Sequence, residues 1–417
     1  MLAALLVPGG FSAVHAGGWS AMVPDLRQTP PQLIAVSKAS QHLSLLARHS
    51  PMSVRQSYAC TTGQVAGDKK IDGDRRTPEG VYFVVTKIDR GLDFAEYGGI
   101  AYPLNYPNPV DVLRGKTGYG IWIHSRGQPI VPMSTRGCVA VDLDAIDQLG
   151  PHLMPGTAVV LAENVTTDAR LTDKPESAIT SLLEEKARKW NTAWANRSPE
   201  LFAMYNPEAY SKAQQESFAV FKAQKERLFA MLPWIHIVYR DVNVMQGPDY
   251  WVTWFEQYYR APNITTEGVR RLYWQPDAGG ELHIVGMEWL PQNVGLEASY
   301  LETITPGVTG FVEAWRKAWL QADAKAYAAF YAPDGRQGAL SGQETIQRTK
   351  EGLWKRVKPA RVDLTGIRVM LDRGGIKVDM TQVYRDGAGK GDKGIKTLIL
   401  QPQGESWLIS AENWSAL

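Results

Sequence analysis

Residues 124–142, "HSRGQPIVPMSTRGCVAVD", are the stretch on which the fold and the chemistry depend. Cys138 is one of only two cysteines in the chain, and His124 precedes it by fourteen residues. Three interpretations are open: a small buried hydrophobe, one half of a disulfide with Cys60, or a nucleophile activated by His124. The third needs a nearby imidazole, because a free thiol with a pKa of ~8.5 is mostly protonated at neutral pH.

The sequence around Cys138 has the parts that a cysteine nucleophile requires. His124 ends the apolar run "YGIWIH", which predicts a strand that holds the imidazole on a rigid sheet. The following segment is long enough to turn and bring "STRGC" back beside that strand. Gly137 allows a close backbone approach, so we expect the N–H groups of Gly137 and Cys138 to face a developing oxyanion.

The composition excludes several classes of protein. The 417 residues include 45 Lys and Arg against 43 Asp and Glu, so no basic field indicates a nucleic-acid partner. Two cysteines exclude a disulfide scaffold and a Cys-rich zinc module. Beyond the N-terminus, no apolar run approaches the ~20 residues that a transmembrane helix needs. The length predicts two to four domains at about 100–200 residues each.

The N-terminal segment, residues 1–31, indicates export. "MLAALLVPGGFSAVHA" is apolar and ends in "VHA", which suits signal peptidase, although the positively charged start of a signal peptide is missing. The alternative is a buried N-terminal strand or helix. We expect a periplasmic or otherwise extracytoplasmic protein.

Residues 32–163 read as a mostly-β domain of short strands separated by Gly, Pro and Asp clusters. The turn segment 67–80, "GDKKIDGDRRTPEG", superficially suggests a calcium loop. With Asp72 as its first position, however, Arg76 stands fifth, where an EF-hand needs an acidic residue. We predict no metal and no cofactor. Five charged residues of this segment are expected to form turns and ion pairs: Asp68, Asp72, Asp74, Arg75 and Arg76.

An internal repeat follows a polar linker at residues 164–174. Sliding the sequence on itself by 125–126 residues aligns two segments, 175–296 and 305–417. The aligned pairs include Trp190 with Trp315, Trp194 with Trp319, Tyr205 with Tyr331, Gln257 with Gln382, and Trp289 with Trp414. Each copy begins with amphipathic helices and ends with long alternating strands, which predicts two α+β cone domains. This layout resembles the nuclear-transport-factor-2-like (SnoaL-like) family. We expect the aromatic residues to form cores rather than ligand boxes.

The upstream turn segment and the "IH…STRGCVAV" motif together resemble the L,D-transpeptidase (YkuD-type) catalytic domain over residues 32–163. The resemblance implies that Cys138 is the nucleophile and His124 the general base, with the carbonyl of Ser125 orienting the imidazole. It also implies that Gly137 and Cys138 form the oxyanion hole. Residues implied to contact substrate are Ser134, Thr135 and Arg136.

Two positions depart from the family pattern. Arg136 stands where many members have His, and Ala140 stands where they have Asn or Arg. The short His-to-Cys spacing and the appended modules are similar to those of cell-shape-determining L,D-carboxypeptidases. Arg136 offers a cation for the terminal carboxylate of a stem peptide, although it is equally expected to face solvent or to pair with a nearby acid.

Two functions remain open at this point. The first is an L,D-carboxypeptidase or L,D-transpeptidase that acts on peptidoglycan stem peptides through a cysteine acyl-enzyme. The alternative is a catalytically silent cell-wall or glycan-binding protein that uses the tandem C-terminal modules. A homodimer, or a cell-wall partner held by those modules, is also left open.

Overall fold

The computed structural model describes residues 17–48, 52–168, 175–404 and 406–417. Residues 1–16, which hold most of the predicted signal-like stretch, lie outside the described residues. Among the residues that are described, no helix has the length and apolar character needed to cross a membrane.

The N-terminal unit is mostly β. Its strands are β1 (Ser20–Pro24), β2 (Gln32–Ser37), β3 (His42–Arg48), β4 (Met52–Ala59), β5 (Gly80–Phe83), β6 (Ala101–Pro103), β7 (Trp122–Ser125), β8 (Val139–Val141), β9 (Ala158–Ala162) and β10 (Asn164–Asp168). Its helices are short: α1 (Phe94–Tyr97), α2 (Pro109–Leu113), α3 (Leu143–Leu149) and a single 3-10 turn, Gly150–His152. The strands form one sheet in the order β4-β3-β2-β9-β5 and a second in the order β6-β7-β8.

The structure differs from the predicted linker at its start. Residues 164–168 form β10, which pairs in parallel with β1, so that Ser20 lies opposite Asn164. Strand β1 itself belongs to the segment 1–31 that was predicted to be signal-like. The composition of "NVTTD" suits a loop, but Val and Thr also favour strands once a partner strand is present.

The middle unit has helices first and an antiparallel sheet afterwards. Its elements are α4 (Pro175–Ala195), α5 (Glu200–Ala203), α6 (Pro207–Gln214), α7 (Phe218–Met231), β11 (His236–Gln246), β12 (Trp251–Ala261), β13 (Ile264–Pro276) and β14 (Leu282–Pro291). The sheet follows chain order, β11-β12-β13-β14.

The C-terminal unit repeats this plan. Its elements are α8 (Leu296–Leu320), α9 (Ala324–Ala328), β15 (Tyr331–Gln337), β16 (Leu340–Ser341), α10 (Gln343–Arg356), β17 (Pro359–Asp372), β18 (Gly375–Asp386), β19 (Gly391–Gln403) and β20 (Ser406–Ala416). The sheet order is β16-β15-β20-β19-β18-β17. Helix α8 runs continuously from the end of the middle unit, so residues 297–304 are helical rather than a flexible connection.

Most elements of the two units correspond at the repeat offset, although β15 occupies the position that α6 has in the middle unit. Helices α7 and α10 begin and end 125 residues apart, at Phe218–Met231 and Gln343–Arg356. The parallel bridge from Tyr205 to Ile284 recurs as the pairing of Tyr331 with Ile409. The mostly-β unit followed by α+β cone units is the fold class that the sequence predicts.

Strand β12 is buried on both faces, although its sequence predicts alternating apolar and polar positions. Phe255 packs toward the helices of its own unit, 6.2 Å from the ring of Trp190. Trp254 points the other way, with its ring centroid 5.1 Å from that of Phe83 in the N-terminal unit. The middle sheet therefore separates two cores, one of which is shared with the N-terminal unit.

Candidate active site

The pairing of β7 with β8 brings His124 and Cys138 to the same face. The two strands are parallel, with Ile123 opposite Val139 and His124 opposite Ala140. Because side chains alternate along a strand, Cys138 continues the face of Ala140 and lies diagonally from His124. The opposite face, which includes Ile123 and Val139, is packed into the core of the N-terminal unit.

Both side chains line one cavity of about 660 Å³. The other lining residues come mainly from the turn segment 67–80, from α1 and from the loops before β7 and β8. They include Lys69, Asp72, Arg75, Glu96, Tyr97, Tyr119, Arg126, Ser134, Thr135 and Arg136. Polar and charged groups dominate this wall. The cavity therefore suits a peptide or sugar-peptide rather than an apolar ligand.

The imidazole of His124 is held in one orientation. Its Nδ1 lies 2.6 Å from the carbonyl oxygen of Ser125, and its ring packs edge-on against Tyr97 at a centroid distance of 5.1 Å. A carbonyl oxygen only accepts, so Nδ1 carries the proton and Nε2 is the basic nitrogen. Burial lowers the pKa of His124, the Ser125 carbonyl opposes that shift, and the positive charge of Arg126 adds to it. The ring is a neutral base at neutral pH.

Cys138 is a free thiol. It donates a hydrogen bond to the carbonyl oxygen of Gly120 at 3.4 Å. Burial raises the pKa of the Cys138 thiol to about 11, although a backbone hydrogen bond from Trp122 lowers it. The resting pair is therefore a thiol beside a neutral imidazole, and the sulfur becomes a nucleophile only when a base removes its proton.

The second cysteine is not bonded to it. Cys60 is also free, lies only 1% exposed in the core, and has its pKa raised to about 12 by burial. The disulfide interpretation is wrong, and the buried, inert thiol of this chain is Cys60.

The loop before Cys138 is fixed by the side chain of Thr135. Its hydroxyl donates to the carbonyl oxygen of Cys138 at 2.7 Å and accepts the N–H of Gly137 at 3.1 Å. The N–H of Gly137 is thus engaged within the loop in this structure. Gly137 has a φ of 133°, a conformation that L side chains rarely adopt, and a Cβ there would lie 2.9 Å from the carbonyl oxygen of Arg76. Only glycine fits this position.

The upstream turn segment supports the same loop. Thr77 donates its hydroxyl to the carbonyl oxygen of Gly137 at 2.9 Å and accepts the N–H of Gly63 at the same distance. Asp74 accepts backbone N–H groups of Lys70, Ile71 and Arg76, which closes the turn. Asp68 and Asp74 form ion pairs with lysines, whereas Asp72 and Arg75 line the cavity. The hydrogen bonds of Thr77 connect this segment to the cysteine motif.

Three comparisons with known proteins bear on this site. Residues 31–161 match the model of the L,D-transpeptidase catalytic domain (YkuD), and residues 182–288 match the Cds6 C-terminal NTF2-like domain. The chain carries an L,D-transpeptidase catalytic domain followed by an NTF2-like module. A search of the curated proteins found no match.

Solved structures with similarity to this chain were also found. Bd1075 of Bdellovibrio bacteriovorus is 25% identical, with a TM-score of 0.50 over 64% of this chain and 95% of its own. A point mutant of the helical cell shape determining protein Pgp2 of Campylobacter jejuni is 24% identical, with a TM-score of 0.49 over 67% of this chain and 94% of its own.

Within the L,D-transpeptidase domain, the three residues implied to contact substrate occupy different environments. Ser134 accepts a hydrogen bond from Arg126 Nη1 at 2.7 Å and lies 3.0 Å from the hydroxyl of Thr61. Thr135 is 6% exposed and its hydroxyl is used inside the loop. Arg136 is exposed at the cavity rim and forms an ion pair with Glu96 at 2.5 Å. Glu96 is therefore the nearby acid with which Arg136 pairs.

Arg126 is a residue of the L,D-transpeptidase cavity that sequence reasoning did not select. It lines the cavity, and among the described residues its guanidinium has no carboxylate within ion-pair distance. Its Nε is buried without a hydrogen-bond partner. A signal was available, because Arg126 follows His124 by two residues and an extended chain puts such residues on one face.

The residues with metal-ligand chemistry lie elsewhere. Within the described chain, one group has ligand atoms close together: Asp277, Glu281 and His283, at the exposed turn between β13 and β14. Asp277 uses its carboxylate to accept the N–H groups of Gly279 and Glu281, which is the work of a turn residue.

Proposed function

We propose that this L,D-transpeptidase domain opens the amide between an L-centre and a D-centre in a peptidoglycan stem peptide, with Cys138 as the nucleophile. The family match supports an enzyme of the L,D-transpeptidase type that acts on peptidoglycan. One observation supports the role of Cys138. Its side chain and that of His124 line the same cavity, and Nδ1 of the imidazole is occupied by the carbonyl oxygen of Ser125, which leaves Nε2 free to act as the base.

The reaction follows from the neutral resting pair. As the sulfur attacks the carbonyl carbon, Nε2 of His124 takes the thiol proton, and the carbonyl oxygen acquires the negative charge. Collapse of this intermediate expels the D-residue amine, which receives that proton from the imidazolium and leaves a thioester on Cys138. The backbone N–H groups at Gly137 and Cys138 are the proposed oxyanion donors, which requires Gly137 to release the Thr135 hydroxyl during the reaction.

Hydrolysis of the thioester is the reaction that we favour. Water then attacks the thioester with His124 again as base, which releases the shortened stem as a carboxylic acid and returns the proton to the Cys138 sulfur. The net result of the two steps is removal of the terminal D-residue. The cavity wall carries Arg126, which has no acidic partner among the described residues, and Arg136, which pairs with Glu96. Both guanidinium groups suit the free carboxylate of a tetrapeptide stem. A transpeptidase would instead need a second stem amine to displace water at the same thioester. Because peptidoglycan lies outside the cytoplasmic membrane, the protein is proposed to act there.

Product analysis tests the proposal directly. Purified protein is incubated with defined tetrapeptide muropeptides, and the products are identified by mass spectrometry. We expect tripeptides with the full chain, none with Cys138→Ser, and retained activity with the matched control Cys60→Ala. Crosslinked dimers without tripeptide would mean that the reaction is transpeptidation rather than hydrolysis. No product of either kind, together with retained binding of muropeptides, would favour the silent binding protein instead.

A further inference from the structure

The C-terminal unit contains a cavity of about 400 Å³ that lies beyond the residues matched by either family model. It is lined by the helices α8 and α10 and by the strands β15 and β18 to β20. Its walls include four aromatic side chains: Trp319, Trp354, Tyr384 and Trp414. We call it the C-terminal cavity.

One buried ion pair at this cavity is already complete. Lys396 pairs with Glu412, and the two side chains are only 6% and 3% exposed. Glu412 also accepts hydrogen bonds from Tyr331, from Tyr327 at 3.2 Å and from Gln337 at 2.7 Å. Four donors therefore already share this carboxylate, Lys396 at Oε1 and the other three at Oε2.

Lys350 is a second cation at this cavity, and it is not part of the ion pair between Lys396 and Glu412. Its Nζ lies 5.3–5.8 Å from the ring centroids of Tyr327, Trp319 and Trp354. In the described part of the chain it makes no hydrogen bond and no ion pair. Burial lowers the pKa of Lys350, while the charge of Glu412 raises it. Lys350 is partly buried at the cavity wall, and an acceptor supplied by a ligand would give its ammonium the hydrogen-bonded partner that it lacks among the described residues.

Gln382 adds an unsatisfied acceptor to the same cavity. Its Nε2 donates to Asp392 at 2.8 Å, which fixes the orientation of the amide. Its Oε1 is buried and finds no donor among the described residues. The cavity thus lacks an acceptor at Lys350 and a donor at Gln382.

The repeat shows that this arrangement is particular to the C-terminal unit. Lys225 and Arg270 occupy the positions of Lys350 and Lys396 in the middle unit, but Met287 stands where Glu412 stands. Gln257 there donates to the side chain of Asn191 at 2.7 Å. The two units therefore share a cationic, aromatic interior but differ in its charge balance.

We propose that the C-terminal cavity binds a small organic molecule that joins a carboxylate to a neighbouring N–H group, of amino-acid or dipeptide size. The carboxylate pairs with Lys350, the N–H donates to Oε1 of Gln382, and the carbon skeleton packs on the indole rings of Trp319 and Trp354. The proposal does not rest on the activity of Cys138.

Calorimetric titration of the full chain with N-acetyl-L-phenylalanine tests this site, because that probe carries all three features. A ligand of this size is expected to bind with a dissociation constant on the order of 1 mM. N-acetyl-L-phenylalaninamide, which lacks the carboxylate, should bind about tenfold more weakly or not measurably. Cys138→Ser should bind the acid as the wild type does, so loss of enzymatic activity leaves this result intact.

The matched variants are Lys350→Met and its counterpart Lys225→Met, each checked by its melting temperature. We expect Lys350→Met to raise the dissociation constant of N-acetyl-L-phenylalanine at least about tenfold. Lys225→Met should leave that constant unchanged. Binding that survives Lys350→Met, or that disappears only in Lys225→Met, overturns the proposal. Equal binding of the acid and the amide also overturns it, as does the absence of saturable binding of the acid. The comparison of the two probes uses the wild-type chain, so it does not depend on the folding of a variant.

Discussion

Val81 donates its backbone N–H to the hydroxyl of Tyr250 at 2.8 Å, across a separation of 169 residues. Val81 lies in β5, the edge strand of the larger sheet in the catalytic domain, and Tyr250 immediately precedes β12 of the middle unit. The contact continues at Phe83, where the guanidinium of Arg271 lies 3.9 Å from the ring centroid. The middle unit thus covers an edge that would otherwise expose unpaired backbone groups.

Tyr250→Phe should therefore destabilise the whole chain. The change leaves the N–H of Val81 without its acceptor and also removes one of the two acceptors of Asn108 Nδ2, at 3.2 Å. We expect the free energy of unfolding to fall by about 1–3 kcal/mol in a denaturant titration, the usual cost of leaving a buried donor unpaired. Tyr119→Phe is the control, because that side chain is 85% exposed and should change nothing. If both variants have the same free energy of unfolding, the hydrogen bonds of the Tyr250 hydroxyl contribute no measurable stability.

The pH dependence of kcat/KM should report His124 as a neutral base. Burial and Arg126 lower its pKa, so activity should be lost only as pH falls below the ordinary histidine value of about 6.5. Arg126→Ala removes a positive charge near the ring, and the acidic limb should then move to higher pH. A limb that stays in place in Arg126→Ala, or that moves lower, would contradict this assignment.

Alkylation of Cys138 should distinguish a thiol from a preformed thiolate. Since its pKa is raised to about 11, the rate with iodoacetamide should keep rising with pH through 9 and above. The modified residue is identified by peptide mapping, with buried Cys60 as the internal reference. A rate that is already constant below pH 7 would mean a thiolate–imidazolium pair in the resting enzyme.

Arg136 and Glu96 should have opposite effects on substrate binding. Arg136→Ala is expected to raise KM for tetrapeptide muropeptides about three- to tenfold with little change in kcat, since it removes an exposed cation from the ground-state complex. Glu96→Gln frees the same guanidinium from its ion pair and should lower KM. If both variants raise KM equally, the ion pair itself shapes the cavity and Arg136 does not hold the substrate carboxylate.

Thr135→Val tests the loop that presents Cys138. Valine keeps the shape but loses the hydrogen bonds to the Cys138 carbonyl and the Gly137 N–H. Because Thr135 acts through the loop, kcat should fall about ten- to a hundredfold while KM stays near its normal value. Exposed Thr265→Val serves as the control. A change in KM alone would instead place Thr135 against the substrate.

The sequence predicted the fold class and both kinds of domain, because strand runs and motif spacing are local properties. "YGIWIH" predicted the strand that ends near His124, and the offset of 125–126 residues predicted the two α+β units. The linker prediction at 164–174 was wrong over 164–168, since β10 depends on β1 from the far N-terminal end. Glu96 precedes Arg136 by forty residues, and no local pattern links them. Long-range pairings of this kind depend on the packed structure.

The roles of the site residues remain predictions, although their placement has a physical logic. His124 and Ser125 are neighbours, so the contact of Nδ1 with the Ser125 carbonyl follows from a short stretch of chain. The burial of Trp254 against Phe83 had no such basis, because alternation along β12 predicts one solvated face. A strand covered by a neighbouring unit cannot be recognised from its own residues.

The parallel ladder between β7 and β8 also makes the relative position of His124 and Cys138 independent of the length of the connection that joins the strands. His124 and Cys138 are positioned by strand register, while Gly127 and Met133 are anchored to the backbone of Phe94 and the side chain of Gln41. Residues 128–132 between these anchors are mostly exposed. Doubling the length of such a segment costs only about 0.6 kcal/mol. Insertions there can remodel the rim of the cavity, at Gln128, and so change which cell-wall fragment enters, while the sulfur and the imidazole keep their places.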